Sequence, residues 1–265
     1  MKHFVLPALP NPDGIIRLYE GDYHYLVRVR RLKSGDCFDA LLPDGVQVKI
    51  RILSTINGIL IGECQGSWSL ALSQASSAIP PIALFQGLPK GSKMDLIVRQ
   101  AAEGGVSVIV PFVSRYSTAS LNKPHNEKLK RWERIIREAR QQSGSVTETS
   151  IRPPCNLDGL LEYWESVKKE YLRPSGLILH QEPLARKSFQ EYLGNNPDFV
   201  ALAVGPEGGF SQDEISEFLT AGFKPLLMGN TILRTETAAL YGTAAIKIIL
   251  LERETWTPCL KESCS

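Results

Sequence analysis

Two short stretches hold the side chains and backbone best suited to chemistry. Gly205-Pro206-Glu207-Gly208-Gly209-Phe210 follows the apolar run Phe199 to Val204. Met228-Gly229-Asn230-Thr231-Ile232-Leu233-Arg234-Thr235-Glu236 follows a second apolar run, Pro225 to Met228. Glycines at the carboxyl end of a strand let a ligand approach the main chain, and open α/β sheets hold their ligands there. The first stretch reads equally well as a tight turn into a helix capped at Ser211. It is not GxGxxG, since its second and third residues are Pro and Glu, and no Gly-Lys-Ser/Thr follows, so neither nucleotide-phosphate motif is present. In the second stretch Thr235 or Thr237 can cap a helix. Arg234 has no such local role, because a cation at a helix entrance opposes the helix dipole. Its position calls for a functional explanation, and Glu236 beside it likewise has no apolar reason to be there.

Both stretches need strands behind them and helices after them. From Pro81 onward strand and helix patterns alternate. Ile82 to Gln86, Val106 to Val113, Leu177 to Leu179 and Phe199 to Val204 are apolar strand runs. Met94, Ile97, Val98, Ala101 and Ala102 recur at helical spacing after Ser92, and Gly104-Gly105 ends that helix. Leu129, Trp132, Ile135, Ile136 and Ala139 give a second helix one apolar face. Ser211 with Glu214 forms a capping box for a third, closed at Gly222. Alternation of this kind predicts a parallel sheet covered on both faces. A last helix from Glu236 to Leu251 is apolar almost all round, which predicts burial, favoured here as a contact between subunits.

The first part of the chain is different. Val27 to Arg31, Cys37 to Leu42, Val46 to Leu53 and Ile59 to Cys64 are short strand-like runs, separated by Ser34-Gly35-Asp36, Asp44-Gly45 and Asn57-Gly58. Asp-Gly and Asn-Gly between β-formers are strong hairpin signals. A small β-barrel or sandwich over residues 1–72 is expected, then a linker at 73–81 in the Ser-rich stretch that ends at Pro80-Pro81, then an α/β domain over 82–265.

The 265 residues allow two domains with cores of their own. The 43% hydrophobic and 22% charged residues are ordinary for a soluble chain. No run is long and apolar enough for a membrane helix and no signal peptide is seen, so a cytoplasmic protein is expected. Five scattered cysteines and four scattered histidines form neither a disulfide framework nor a metal-ligand spacing, so no metal is expected. A net charge of +2 announces no polyanionic partner, but its distribution is uneven. Between Arg115 and Arg140 stand eight Lys or Arg against Glu127, Glu133 and Glu138, and Arg28, Arg30, Arg31 and Lys33 form a second knot. Such local patches can bind phosphate, though charge runs are more often solvated faces.

GPEGGFS at 205 to 211 together with ILRTETAA at 232 to 239 resembles the RsmE family of 16S rRNA uridine-N3 methyltransferases, of the SPOUT class. KGSKMDLIVRQAAEGGVSVIVP at 90 to 111 and HYLVRVRRLKSGD at 24 to 36 extend the resemblance over nearly the whole chain. It departs from the family pattern at Thr231, at Ser145 and at Glu103-Gly104-Gly105. The resemblance implies a deep trefoil knot from about residue 82 to 251, a PUA-like N-terminal β-barrel and a homodimer with the last helix in its interface. It implies S-adenosylmethionine held by three loops: Leu179, His180 and Gln181 in the first, Gly205, Pro206, Glu207, Gly208 and Gly209 in the second, and Met228, Gly229, Ile232 and Leu233 in the third.

A uracil N3 must lose its proton before it attacks a methyl group, and a fixed cation stabilises the charge left on the base. Arg234 is the candidate for that cation, with Glu236 or Glu207 to orient it or accept the proton. Arg28, Arg30, Arg31 and Lys33, with Arg134, Arg137 and Arg140 on one helix, are the candidates for phosphate contacts with 16S rRNA or the small ribosomal subunit. The alternatives are a SPOUT enzyme acting on another RNA site and an RNA-binding assembly factor without catalysis. A Rossmann nucleotide enzyme would need a glycine fingerprint that Gln86-Gly87-Leu88-Pro89-Lys90-Gly91 does not supply.

Overall fold

Residues 47–56 alternate with period two, and the alternation is realised: Val48, Ile50 and Ile52 point inward from strand β4 (Gln47–Ile56). A computed structural model of the chain describes residues 4–43, 46–65, 79–117, 126–180, 188–194 and 196–253. Two compact units emerge, Met1–Ser76 with Ile136–Glu148, and Ser77–Ile135 with Thr149–Ser265.

In the first unit a mixed sheet has the order β1-β3-β4-β5-β2. Its other strands are β1 (Phe4–Val5), β2 (Ile15–Leu18), β3 (Cys37–Leu41) and β5 (Ile59–Gln65). Among the described residues only the β1–β3 pair of this sheet is parallel. The turn between β4 and β5 has positive φ at both Asn57 and Gly58, 55° and 76°, which is why Asn-Gly suits it. The Asp44-Gly45 turn and most of the expected linker lie outside the described residues.

One expected strand is absent. Val27 to Val29 belong instead to a helical segment, Glu20–Tyr23 (α1) continued as a π-helix over His24–Val29, and Arg30 and Arg31 follow its end. Leu26 is fully buried there while Tyr25 and Val27 pack partly against the core. Val27-Arg28-Val29-Arg30 alternates as a strand would, but packing of Leu26, Tyr25 and Val27 on the core overrides so short a pattern.

In the second unit a seven-stranded, all-parallel sheet has the order β12-β10-β11-β6-β7-β8, with β9 also on β7. Its strands are β6 (Ile82–Gly87), β7 (Val108–Val113), β8 (Ser150–Ile151), β9 (Cys155–Asn156), β10 (Pro174–Leu179), β11 (Phe199–Val204) and β12 (Lys224–Leu226). The helices are α2 (Lys93–Gly104), α3 (Asn126–Ser143, shared by both units), α4 (Leu157–Glu170), α5 (Phe189–Tyr192), α6 (Gln212–Thr220) and α7 (Thr235–Arg253).

One face of the sheet, with Phe85, Phe112 and Ala203, packs on Trp164 of α4 and on Ile215 and Phe218 of α6. Each large side chain buried this way contributes about 1.5–3 kcal/mol. The other face receives α7, whose Gly242 lies so near that a Cβ would stand 2.5 Å from Leu202 Cδ2. Helices on both faces are what the strand–helix alternation predicts. Ser92 occupies the cap position of α2, but its side chain makes no capping bond. Ser211 and Glu214 do form the capping box of α6. The last strand ends at Leu226, so Leu227 to Arg234 form a loop.

On α7, Ala239, Thr243, Ile246 and Leu250 are buried, whereas Tyr241 and Ile248 are 56% and 55% exposed. Among the described residues no helix is long and apolar enough to cross a membrane, and no cluster of His, Cys, Asp and Glu could hold a metal ion.

Candidate active site

Strands β6, β10, β11 and β12 run parallel, so the loops that leave their carboxyl ends gather at one edge of the sheet. The Gly205–Phe210 turn leaves β11 there. Gly209 N–H donates to Pro206 O at 2.9 Å, and Gly209 has φ +69°, a conformation that favours glycine. Phe210 anchors the exit of the turn by stacking on Phe112, with ring centroids 6.3 Å apart. Glu214, buried one turn into α6, accepts from Ser211 N, Arg115 N and Ser114 Oγ at 2.8, 2.8 and 3.1 Å. The turn is therefore held from below by a fully engaged carboxylate.

The second loop enters α7 at Thr235, whose buried hydroxyl donates to Gly205 O at 2.6 Å and accepts from Gln86 Nε2 at 3.0 Å. That one side chain ties the start of α7 to the glycine turn and to the end of β6. Gly87 completes the junction, since a Cβ there would stand 2.6 Å from Pro206 Cδ. His180 N–H donates to Leu226 O at 3.1 Å and brings the end of β10 alongside.

These loops enclose a cleft of about 630 Å³. Leu179, His180, Gly205, Pro206, Glu207, Gly208, Gly209, Met228, Gly229, Ile232, Leu233 and Arg234 all line it. Gln181 lies outside the described residues. Arg234 is exposed, and among the described residues its guanidinium has no hydrogen-bond or ion-pair partner. Glu236, in the first turn of α7, is only 15% exposed at its side chain, and its Oε2 accepts no hydrogen bond among the described residues. Thr231, one of the departures from the family pattern, is exposed on the cleft wall. Ser145, another, donates its N–H to Ser143 Oγ at 3.2 Å.

Lys93 is the charged cleft residue that sequence reasoning missed. Its Nζ lies 2.6 Å from Glu207 Oε1 and 4.0 Å from Glu236 Oε2. The signal was available: Lys93 opens α2, where a cation opposes the dipole, the same anomaly that singles out Arg234. Burial pushes the Glu207 carboxyl upward, but the Lys93 hydrogen bond and the main-chain N–H groups of Glu207 and Lys90 outweigh it and bring it below its usual 4.5.

The candidate phosphate contacts divide. Arg28, Arg30, Arg31 and Lys33 are all exposed on and just after the π-helix of the first unit. Arg137 is exposed and 3.9 Å from Asp22 Oδ1, and Arg134 is exposed in the second unit. Arg140 departs from expectation. It is 5% exposed and donates to Pro43 O at 3.3 Å, because its position on α3 turns it inward beside Ala139. A phosphate cannot reach it without displacing that contact.

Comparison with known proteins places this architecture. Residues 76–247 match the model of the RNA methyltransferase domain family. The chain is 32% identical to ribosomal RNA small subunit methyltransferase E of Synechocystis sp., over 90% of this chain and 74% of that one. It is 31% identical to ribosomal RNA small subunit methyltransferase E 2 of Borreliella burgdorferi, over 86% and 88%. Among solved structures, a Legionella pneumophila protein described as a methyltransferase with bound cofactor SAM superposes with TM-score 0.75 at 26% identity, covering 93% of this chain and 97% of that one. Ribosomal RNA small subunit methyltransferase E of Neisseria gonorrhoeae superposes with TM-score 0.74 at 24% identity, covering 94% and 98%. The chain belongs to the ribosomal RNA small subunit methyltransferase E family, within the RNA methyltransferases.

Proposed function

We propose that this protein transfers a methyl group from S-adenosylmethionine to the N3 of a uridine in the 16S rRNA of the small ribosomal subunit. The observation that carries the reading is the position of Arg234, an exposed guanidinium without a partner among the described residues, on the wall of a glycine-lined cleft. The cleft fits the cofactor. Its volume of about 630 Å³ is that of a small-molecule site. Leu226, Met228, Ile232 and Leu233 offer apolar walls to a purine, and Gly205 to Gly209 offer bare main chain to its polar atoms. When bound, S-adenosylmethionine supplies a methyl group on a sulfonium, which a nitrogen lone pair displaces to leave a neutral thioether.

The chain's own residues do the rest. The turn and the loop before α7, joined through Thr235, hold the two reactants in register, and positioning is a large share of such catalysis. Arg234 offsets the negative charge that develops on the uracil as its N3 proton leaves. Arg28, Arg30, Arg31, Lys33, Arg134 and Arg137 supply phosphate contacts. Base recognition in RNA targets unstacked nucleotides, so the uridine is expected in a loop or splayed from its helix.

Finer parts of the reading rest on the family likeness. They are a trefoil knot between about residues 82 and 251, a PUA-like barrel over residues 1–72, a linker at 73–81, the methyltransferase domain over 82–265 and a cytoplasmic location. A homodimer through α7 has support in the exposed Tyr241 and Ile248.

Purified protein with labelled S-adenosylmethionine and small subunits from cells lacking it tests the proposal. Label is expected in 16S rRNA, and Arg234→Ala is expected to abolish it. Cofactor binding without transfer to any rRNA would favour a non-catalytic assembly factor instead.

A further inference from the structure

Lys93 stands between Glu207, on the cleft wall, and Glu236, largely buried beside it in the first turn of α7. Its Nζ is a hydrogen bond from Glu207 Oε1, at 2.6 Å, and 4.0 Å from Glu236 Oε2. Both oxygens of Glu207 are already engaged, Oε1 by Lys93 and by Lys90 N–H at 3.2 Å, Oε2 by the same N–H at 3.3 Å. Glu236 differs: its Oε2 is buried and accepts no hydrogen bond among the described residues. A carboxylate whose oxygens are all donated to is a strut, and one with an uncommitted oxygen can take a proton. A surface ion pair alone adds little stability, and a cation at a helix start is mildly unfavourable, so stability does not explain a lysine here.

We infer that Lys93 is a positioning residue of the methyl transfer, clamping Glu207 between α2 and the Gly205–Phe210 turn and leaving Glu236 as the acceptor of the uracil N3 proton. The inference rests on the proposed methyl-transfer function of the cleft. In the step it describes, the N3–H bond breaks and the proton passes to Glu236. The freed N3 lone pair forms the bond to the methyl carbon, and the carbon–sulfur bond breaks with its electron pair going to sulfur. Charge then balances: an anionic base and a cationic sulfonium become two neutral groups, with Arg234 beside them throughout.

The charged and titratable groups around this point are Lys90 and Lys93 at the entry to α2, Glu207 on the turn, Arg234 and Glu236 at the entry to α7, and His180 at the end of β10. Without the Lys93 ammonium the two carboxylates lose their shared cation. Two like charges with no cation between them repel, and the pair retains a proton to higher pH.

The test compares wild type, Lys93→Met and Lys93→Arg at saturating S-adenosylmethionine, with kcat followed from about pH 5 to 9 on small subunits. Lys93→Met is expected to lower kcat at neutral pH about tenfold or more and to move the acid limb of the profile upward. Lys93→Arg is expected to restore most of the rate. Carbon-13 NMR of the glutamate carboxylates, needing no turnover, is expected to show Glu207 titrating at higher pH in Lys93→Met. A Lys93→Met enzyme with wild-type kcat and an unmoved acid limb would overturn the assignment, as would an unchanged Glu207 titration. Wild type that binds cofactor but methylates no rRNA would overturn the functional reading instead, and with it the role of Glu236. The carboxylate titration would still decide whether Lys93 governs Glu207.

Discussion

The hydroxyl of Thr235 donates to the carbonyl of Gly205 at 2.6 Å and joins the two loops that form the candidate active site. Because Thr235 is buried, its loss leaves Gly205 O without a donor in a place water does not easily reach. Thr235→Val keeps the shape and removes the bond. It is expected to cost about 1–3 kcal/mol in urea denaturation and to weaken cofactor binding, while Thr235→Ser stays close to wild type.

Gly87 tests the same junction from the β6 side. A Cβ there would stand 2.8 Å from the main-chain nitrogen of Pro206, a contact that backbone cannot relieve cheaply. Gly87→Ala is expected to destabilise the protein by about 1–3 kcal/mol and to reduce affinity for S-adenosylmethionine measured by calorimetry. Gly91→Ala, where a Cβ meets nothing, is strained by its φ of +65° alone and is expected to leave that affinity nearly intact.

How much of this was legible beforehand depends on range along the chain. The glycine turn, the capping box at Ser211 and the Asn57-Gly58 hairpin were readable because each encodes its conformation within a few residues. The Lys93–Glu207 pair joins positions 114 residues apart, and nothing local to either marks the other. Arg140 shows a different failure. It shares helical spacing with Arg137, yet the helix has turned far enough at Arg140 for burial to win over the basic stripe. The helices α4 and α5, the strand β2 and the two-residue strands β1, β8 and β9 went unread. Two residues carry no period, and α4 is recognisable mainly by Leu160, Trp164 and Val167 meeting a core that only the fold assembles.

The buried and exposed arginines are expected to behave differently in RNA binding. Arg30→Ala removes an exposed cation and is expected to lower the slope of log affinity against log salt by about one, with little effect on stability. Arg140→Ala breaks a partly buried contact to Pro43 O, so it is expected to lower stability by about 1–3 kcal/mol and leave the salt slope unchanged. Filter binding across a salt series, with thermal denaturation alongside, separates the two.

Stability in acid carries a signature of Glu207. Its carboxyl lies below the usual 4.5 in the folded protein, so the folded state favours the ionised form. The stabilisation is fully present above 4.5 and is lost as pH falls through the lower folded value. Glu207→Gln is therefore expected to lower stability above pH 4.5 and to flatten its fall below that value, measured by chemical denaturation.

The central claim is that the cleft lined by Gly205–Gly209 and Arg234 methylates a uridine of small-subunit rRNA. Mass mapping of 16S rRNA from cells lacking the protein, complemented with wild type or with Arg234→Ala, tests it most directly. The account predicts one uridine that loses its N3 methyl in the deletion, regains it with wild type and stays bare with Arg234→Ala. An unchanged methylation map in the deletion, or full restoration by Arg234→Ala, would contradict it.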